Sequence, residues 1–378
     1  MMLAAALLAV SCVYPFTPDP TDGSGALVIE GDILIGEWTT VKVSRTIPIN
    51  SRSLSDPVVG SVFVEDDSGR QYNAEKTDES GAYLVNTTDA DPSRSYRLHF
   101  KDGSTKREYV SAWETVRSAP VIDSLSYNLD YDRERLNIAL SMHSRGESFF
   151  KWSYVEDWEF HSMFNADLKY IPSKNWSVPS RIEQMVFPES TYYCYKHAES
   201  SQIMTFSTEK QSDDRFVDLE FLPIPQRDRR LSSLYRIVVA LEPMSKDAYL
   251  YWENIKTNSE YTGSLFAPNP SEMVGNIRCV EEPNELVLGY INVAQRTTEQ
   301  LVLRSSDHKF FKSPDLYVEP VEVGRQEWDT YYRDGFLPFT YVMPGDLSST
   351  LWTPGRCVDC KLLNGGSYEK PDDWPPQN

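Results

Sequence analysis

VVGSVFVE, at Val58–Glu65, leads directly into DDSG, at Asp66–Gly69. The first run is strand-length and rich in β-branched valine. The second consists of the aspartate, serine and glycine residues that form tight turns. A short β run that ends in such a turn is typical of antiparallel sheets, so this stretch predicts a mainly β fold.

The same pattern of short runs and turns continues on both sides of this stretch. Val41–Ser44 alternates apolar and polar residues, and an Asp102–Gly103 turn separates two later runs. The other strand-like runs of this part are Leu27–Ile33, Gly81–Val85, Ser95–Phe100 and Glu108–Ser111. Strands spaced about ten residues apart predict an antiparallel sandwich over residues 26–118, which ends before the join at Ala119–Asp123.

A larger β-rich domain is predicted over residues 119–366. Its strand candidates are Leu136–Met142, Phe149–Val155, Gln202–Thr208, Tyr235–Glu242, Glu285–Ala294 and Leu301–Arg304. One segment is helical instead, because apolar residues recur at helical spacing after Ser245, a capping residue. We therefore expect two antiparallel, immunoglobulin-like (Ig-like) β-sandwich modules, with one short helix packed on the second. The Pro- and Asp-rich residues 367–378 form a tail that ends the fold.

The charge of the chain excludes one class of partner. Its 56 acidic and 37 basic residues give a net charge of −19 over 378 residues, a length that suits about two to three domains. Nucleic-acid binding depends on neutralising phosphates with lysine and arginine, and a surface this acidic repels a polyanion. We therefore expect no nucleic-acid partner. The hydrophobic content of 40 % predicts packed cores rather than disorder.

Met1–Cys12, MMLAAALLAVSC, predicts the compartment. Its apolar run, Leu3–Val10, is shorter than the ~20 residues that a helix needs to cross a membrane, but it suits the apolar region of a secretory signal. The run ends in Ala-Val-Ser-Cys, which resembles a bacterial lipobox. Residues 1–12 are thus predicted to be a lipoprotein signal, Cys12 to carry the lipid, and residues 13–25 to be a tether. The alternative is an ordinary signal peptide with a chance cysteine.

The other four cysteines are predicted to form disulfides. They are Cys194, Cys279, Cys357 and Cys360, an even number in an exported chain, and their pairing is left open. The last two also have the spacing of half a zinc site or of a redox pair. Zinc needs further ligands that the sequence lacks, and a redox pair opens a helix after a strand, whereas this one follows a proline and a glycine. A structural role is therefore favoured.

The sequence contains no motif for catalysis or metal binding. Its five histidines do not pair at metal-ligand spacing, and it lacks a GxSxG elbow, a GxGxxG loop and a Walker A loop. We therefore expect no enzyme activity, no metal and no cofactor.

Aromatic residues form the more informative groups. Four of them share one parity and would line one face of a single strand: Trp152, Tyr154, Trp158 and Phe160. Such a face is either a platform that stacks on a ligand, with Trp152, Tyr154 and Trp158 as its members, or the core face of a sandwich, which burial frequencies favour. The sequence leaves open the place of a second group, Tyr192, Tyr193 and Tyr195.

An ordered set of short motifs along the mature chain resembles a known family. The motifs are Leu27–Gly31, Val62–Gly69, Gly81–Tyr83, Tyr96–Leu98, Pro120–Leu125, Ala248–Trp252, Gly275–Ile277, Val287–Tyr290, Cys357–Cys360, Gly365–Gly366 and Pro371–Trp374. In this order, behind the lipobox, they resemble the Bacteroidetes lipoprotein family catalogued as domain of unknown function 4249. Asp66–Gly69 followed by Gly81–Tyr83 is also similar to the non-catalytic regulatory modules found beside carboxypeptidases.

The resemblance implies a compartment and a class of partner. It implies an outer-membrane lipoprotein, anchored through Cys12 at the surface or the periplasmic face, that works beside a TonB-dependent transporter. It implies neither a ligand nor a catalytic residue. We therefore expect a non-catalytic accessory or binding component of nutrient uptake. A structural or adhesive envelope protein is the alternative, and a hydrolase with a carboxylate pair is a third possibility.

Overall fold

A computed structural model describes residues 25–47, 56–76, 81–174, 178–186, 189–211, 213–260 and 275–376. Cys12, the predicted signal and nearly all of the predicted tether therefore lie outside the described residues. Within the described ranges, no helix has the length and apolar character to cross a membrane. The chain is mainly β, as the sequence predicts.

Strands make up most of the regular structure. In chain order they are β1 (Leu27–Glu30), β2 (Ile33–Leu34), β3 (Trp38–Arg45), β4 (Asp56–Pro57), β5 (Gly60–Asp66), β6 (Gln71–Lys76), β7 (Ala82–Asn86), β8 (Ser95–Asp102), β9 (Glu108–Ser111), β10 (Glu114–Thr115), β11 (Val121–Asp130), β12 (Arg135–His143), β13 (Phe149–His161), β14 (Leu168–Ile171), β15 (Arg181–Gln184), β16 (Tyr193–Glu199), β17 (Met204–Ser207), β18 (Arg215–Pro225), β19 (Leu234–Pro243), β20 (Ile277–Cys279), β21 (Val287–Leu288), β22 (Val293–Ala294), β23 (Thr297–Arg304), β24 (Val321–Gly324), β25 (Phe336–Tyr341) and β26 (Ser349–Pro354). The α-helices are α1 (Lys246–Glu260), α2 (Ser305–His308), α3 (Trp328–Arg333) and α4 (Cys360–Asn364).

The N-terminal region consists of β1–β10 with β20–β22, and its long sheet encloses one core. The strand order of that sheet is β20-β9-β8-β5-β6-β7-β3-β1-β21. Val41 and Tyr83 from one part of the sheet belong to the same buried cluster as Leu98 and Phe100 from the other part. Because a sheet buries its apolar face by packing against another sheet or against itself, this region is sandwich-like.

Val58–Glu65 and the turn after it fold as the sequence predicts. β5 and β6 form an antiparallel hairpin, and Asp66 at its tip is buried. One oxygen of its carboxylate accepts the backbone N–H groups of Ser68 and Arg70, at 2.9 and 3.0 Å. Gly69 has a φ of +86°, the left-handed conformation that glycine adopts without a steric penalty.

The chain returns to the N-terminal region late in the sequence. β20 pairs with β9, β21 pairs in parallel with β1, and β22 pairs in parallel with β2. The sequence assigned these strands to the domain 119–366, but Ile277 and Val287 belong to the N-terminal core. Strands of two or three residues carry too little periodicity to reveal which sheet they join.

The central region is a pair of sheets packed face to face. One sheet has the order β11-β12-β18, and the other has the order β16-β13-β19-β23, with β17 beside β13. Ile138 and Leu140 of the first sheet share buried clusters with Ile237 and Leu241 of the second. The predicted strand Leu136–Met142 lies within β12. Below, the second sheet is called the central sheet, and its face away from the β11-β12-β18 sheet is called the outer face.

A third group of strands, the C-terminal unit, is not contained in the two-module prediction. The hairpin β14–β15 and the sheet β24-β26-β25 share a core around Tyr170, Trp328 and Trp352. A disulfide between Cys194 of β16 and Cys360 of α4 joins this unit to the central sheet. The hairpin is inserted between β13 and β16, so neighbours in sequence belong to different cores.

The predicted helix is present as α1, with the predicted cap. The hydroxyl oxygen of Ser245 accepts the N–H of Ala248 at 3.0 Å. The hydroxyl of Tyr251 accepts the N–H of Gly289, which follows β21, at 2.8 Å. Tyr251 also shares a buried cluster with Phe149 of β13. The helix therefore lies where the N-terminal and central regions meet, and not on the second module alone.

Charged groups join the same two regions. Lys151 of β13 forms an ion pair with Asp32 and lies 3.6 Å from the carboxylate of Glu242. Arg296 contacts Glu37 at 2.5 Å and Glu242 at 4.0 Å. Burial, with a further contribution from the charge of Asp32, raises the pKa of Glu242 to about 7 against the attraction of Lys151.

Candidate functional site

The outer face of the central sheet carries charged residues in two adjacent rows. The first row crosses all four strands: Tyr195 of β16 is opposite Glu159 of β13, which is opposite Leu234 of β19, which is opposite Arg304 of β23. The second row is made in the same way by His197, Asp157, Arg236 and Val302. Directly opposed residues on neighbouring strands project from the same face, so the sheet register brings these groups together.

A cleft of about 430 Å³ opens at the end of this face. It is lined by Glu159, Tyr193, Ser232, Ser233, Leu234, Arg304, Ser305 and Ser306. The lining therefore offers one carboxylate, one guanidinium and several hydroxyl groups, with little apolar surface. Such a set can donate hydrogen bonds to a polar ligand and accept hydrogen bonds from it.

Glu159 is the buried acid of the cleft, with 1 % of its surface exposed. The hydroxyl of Ser233 donates a hydrogen bond of 2.6 Å to its carboxylate. Burial and then the charge of Glu159 raise the pKa of Tyr193 and of Tyr195. Both phenols therefore keep their protons at neutral pH and remain hydrogen-bond donors beside the carboxylate.

Arg304 is the cation of the cleft. It ends β23, and its Nη2 donates to the carbonyl of Pro376 at 3.3 Å. Its Nε is buried and has no hydrogen-bond partner among the described residues. Buried guanidinium nitrogens are normally paired, so this unsatisfied donor is an unusual feature of the cleft wall.

Asp157, in the second row, is held on both sides. Arg236 donates to one of its oxygens at 2.7 Å, and the ring Nδ1 of His197 lies 2.8 Å from the other. The hydrogen bond to Asp157 raises the pKa of His197. Both oxygens of Asp157 are thus already engaged, and Asp157 does not line the cleft. Glu159 is therefore the carboxylate that the cleft offers to a ligand.

Aromatic rings stand beside the cleft. The rings of His161 and Tyr192 are stacked at 4.8 Å, and the rings of Tyr192 and Tyr193 meet edge to face at 4.7 Å. Tyr193 is 36 % exposed and lines the cleft. Two of the three tyrosines that the sequence left unplaced, Tyr193 and Tyr195, are thus on the strand that borders the site.

The predicted ligand-stacking aromatics are not at this site. Trp152 is buried against Phe206 and Phe221. Tyr154 and Trp158 pack on the core between the central sheet and the β11-β12-β18 sheet. These aromatics share one face, and it is the core face, the alternative that burial frequencies favour in the sequence. The platform interpretation is wrong because the β11-β12-β18 sheet covers these rings.

Only part of the predicted disulfide set is bonded. Cys194 and Cys360 are linked, whereas Cys279 and Cys357 are free thiols, both buried. Cys279 lies in β20 of the N-terminal region, and Cys357 lies just before α4 in the C-terminal unit. Cys279 is part of the buried N-terminal core. Cys357 and Cys360 do not bond to each other, so their short spacing is not that of a redox disulfide here.

The sequence signals for this site were weak. Asp157 and Glu159 alternate along a strand, but with 56 acidic residues in the chain such pairs are expected by chance. Arg304 lies far from them in sequence, and only the β19–β23 pairing brings it into the row. Within the described residues, no group of three or more histidine, cysteine or acidic side chains is placed to hold a metal ion.

The fold and the cleft define a class: a mainly β protein with a polar cleft at one end of a sandwich sheet. A family model described as "Domain of unknown function (DUF4249)" matches residues 13–300. Since this match covers well over half of the chain, the protein belongs to the DUF4249 family. The predicted resemblance to domain of unknown function 4249 is thereby confirmed over residues 13–300, whereas the lipoprotein origin stays a prediction.

Other comparisons add little. No curated protein matches the chain. A two fibronectin type-III domain segment from chicken tenascin is 11 % identical, covering 74 % of this chain and 98 % of its own, with a TM-score of 0.17. A DUF4785 family protein from Legionella pneumophila is 8 % identical, covering 58 % of this chain and 51 % of its own, with a TM-score of 0.16. At these TM-scores neither likeness bears on fold or function.

Proposed function

We propose that this protein is a non-catalytic lipoprotein of a bacterial outer membrane, which binds a saccharide in the Glu159–Arg304 cleft as an accessory component of TonB-dependent nutrient uptake. In this proposal the N-terminal and central regions are two Ig-like modules, and the lipid on Cys12 holds them at the surface or the periplasmic face.

The observation that carries the ligand class is the lining of the cleft. Sugar hydroxyl groups donate and accept hydrogen bonds, and neighbouring hydroxyls suit the paired atoms of a carboxylate and a guanidinium. Glu159 and Arg304 supply one of each, with serine hydroxyls between them. Tyr193, at the rim, offers an aromatic face of the kind on which sugar rings stack.

A glycan array tests the ligand class. We expect the non-lipidated mature chain to retain a defined set of oligosaccharides, and the Glu159→Gln variant to lose them because it removes the acceptor charge. Glu183→Gln is the matched control, since Glu183 is partly exposed on the hairpin strand β15 and does not line the cleft. Retention of no glycan by the wild type, or equal retention by Glu159→Gln, would overturn this ligand class.

Lipid anchoring is tested at Cys12. The short apolar leader and the Ala-Val-Ser-Cys sequence support it. We expect mass spectrometry of the mature protein to find an N-terminal cysteine with acyl chains, and Cys12→Ser to move the protein to the soluble fraction. An unmodified cysteine or a retained leader would contradict the anchor.

Association with a transporter is a separate expectation. Gentle-detergent pull-down of the lipidated protein should recover a TonB-dependent barrel. The control is a bait of the same size and charge, such as the chain with Cys12→Ser in the soluble fraction. Recovery of no barrel by the lipidated protein would count against an uptake role.

Hydrolysis is the second candidate, because Asp157 and Glu159 lie two positions apart on one face of β13. A glycosidase needs two carboxyl groups that both face the scissile bond. Asp157 is engaged by Arg236 and His197, which leaves one carboxylate in the cleft. We therefore propose binding without cleavage. Incubation of the retained glycans with the protein, followed by product analysis, would expose a hydrolase.

A further inference from the structure

The C-terminal tail, residues 367–376, crosses the outer face of the central sheet. Its first residue pairs with the edge strand β16: the N–H of Tyr195 donates to the carbonyl of Ser367 at 2.8 Å, and the N–H of Ser367 donates back at 2.9 Å. This is an antiparallel bridge. The tail was expected to end the fold as a polar segment, but it binds the sheet by its backbone.

Trp374 is the side chain of the tail that meets the face. Its ring lies edge to face against Tyr195, with centroids 5.5 Å apart. The guanidinium of Arg236 lies over the same ring at 5.4 Å. Cation–π and edge-to-face contacts of this kind each contribute about 1 kcal/mol.

Arg236 also binds the backbone of the tail. Its Nη1 donates to the carbonyls of Asp372 and Asp373, at 3.4 and 3.2 Å. The guanidinium is oriented by Asp157, a carboxylate with 5 % of its surface exposed. The buried Asp157 thus orients Arg236, and Arg236 contacts both the main-chain carbonyls and the indole ring of the tail.

Two glycines connect the disulfide-held helix α4 to the tail. The disulfide of Cys360 holds α4 beside β16, and the hydroxyl of Tyr368 donates to Asp359 at 2.8 Å. Between them, Gly365 and Gly366 have φ values of +68° and +101°, which other residues rarely adopt. A Cβ on Gly366 would lie 2.8 Å from the carbonyl oxygen of Tyr195, so glycine also permits the close approach of the tail to β16.

We propose that this face is a docking site for an extended peptide that contains a tryptophan followed by proline, and that the chain's own tail occupies it. The recognised features are main-chain carbonyls, an indole ring and a β-bridge, none of which requires that the peptide belong to the same chain. A segment of the same chemistry from another polypeptide therefore competes with the tail. The proposal does not depend on saccharide binding.

A labelled peptide with the sequence of residues 366–376 tests the site. It should bind saturably to the chain truncated after Gly366, and the peptide with Trp374→Ala should bind at least about tenfold more weakly, since it lacks both ring contacts. The full-length chain should bind the wild-type peptide at least about tenfold more weakly than the truncated chain does, because a tethered tail is present at millimolar effective concentration.

A full-length variant provides a second test that does not depend on the folding of the truncated chain. Trp374→Ala keeps the whole chain but releases the tail, so it should bind the labelled peptide nearly as well as the truncated chain. Trp38→Ala, at an exposed tryptophan of the N-terminal region, is the control and should bind as the wild type does. No binding to either tail variant, or equal binding to the wild type and Trp374→Ala, would overturn the proposal.

Discussion

Buried acids have different partners in the N-terminal region and on the outer face of the central sheet. In the N-terminal region, Asp66 and Asp102 accept backbone N–H groups of their own turns, as Asp102 does from Ser104 and Thr105 at 2.7 and 3.1 Å. On the outer face, Glu159 and Asp157 have partners that are far away in sequence.

This difference separates folding from recognition. A carboxylate that satisfies the N–H groups of its own loop defines a turn, and its environment is complete. A carboxylate that faces a cleft, beside a guanidinium with an unsatisfied buried nitrogen, is part of an incomplete hydrogen-bonding set. The acids are buried in both regions, and Asp102 also pairs with the distant Arg45, so the acceptance of local N–H groups is what distinguishes the N-terminal acids.

The largest loss of stability is expected from removing the disulfide. Among the described residues, this bond joins the central sheet to the C-terminal unit. Cys194→Ala with Cys360→Ala opens a link between residues 166 apart and should lower the free energy of unfolding by about 4 kcal/mol. Calorimetry measures this loss. Cys279→Ala with Cys357→Ala removes two buried thiols without breaking a bond and should cost clearly less; equal losses would contradict the account.

A somewhat smaller effect is expected from Asp102→Ala in the N-terminal region. The variant leaves turn N–H groups unpaired and removes the ion pair with Arg45, which should cost about 3 kcal/mol in urea unfolding near neutral pH. Although burial opposes it, hydrogen bonding by Ser104 and Thr105 lowers the pKa of Asp102. The stabilisation is therefore present above the ordinary aspartate pKa and is lost in acid, where the two stability curves should converge.

Asp89→Ala is the matched control for that experiment. Asp89 also pairs with an arginine, Arg70, but both side chains are more than half exposed. An exposed pair contributes little, so the loss should stay below about 0.5 kcal/mol. A loss as large as that of Asp102→Ala would show that burial does not decide the role of these acids.

The third effect concerns Glu242, which lies where the N-terminal and central regions meet. Its pKa is raised to about 7, so the folded state favours the protonated form, and stability falls as the pH rises through that value. Relative to Glu242→Gln, which cannot ionise, the wild type should lose about 1 kcal/mol between pH 6 and pH 8. Parallel stability curves of the two proteins would contradict the burial of an ionisable group there.

The sequence predicted local structure better than it predicted assembly. Strand and turn residues such as Val62 and Gly69 were identified because their pattern is local, and so was the Ser245 cap. The late return of β20 and β21 to the first core was not predicted, nor was the hairpin at Leu168–Gln184, since two- to four-residue strands carry little pattern. For core aromatics such as Trp152 the sequence left a ligand platform open beside the favoured core face, because one strand shows parity but not which face is covered.

The candidate site depends on pairings that lie outside any sequence window. Glu159 meets Ser233, and the row reaches Arg304 through two further strands. Tail docking depends on Arg236, whose partner Asp157 is also distant in sequence. Composition indicated an acidic surface but not which of its acids had cationic partners. These contacts follow from the order of the strands in the sheet, and that order could not be predicted from the sequence.

A double-mutant cycle at Glu159 and Arg304, measured by calorimetric titration with the best-retained oligosaccharide, tests the central claim that the cleft binds a ligand. We expect Glu159→Gln and Arg304→Gln each to weaken binding by at least about tenfold, with non-additive effects in the double variant and a free energy of unfolding within about 1 kcal/mol of the wild type. Wild-type affinity in both variants, together with a marked loss of stability, would show that these residues serve folding as Asp102 does.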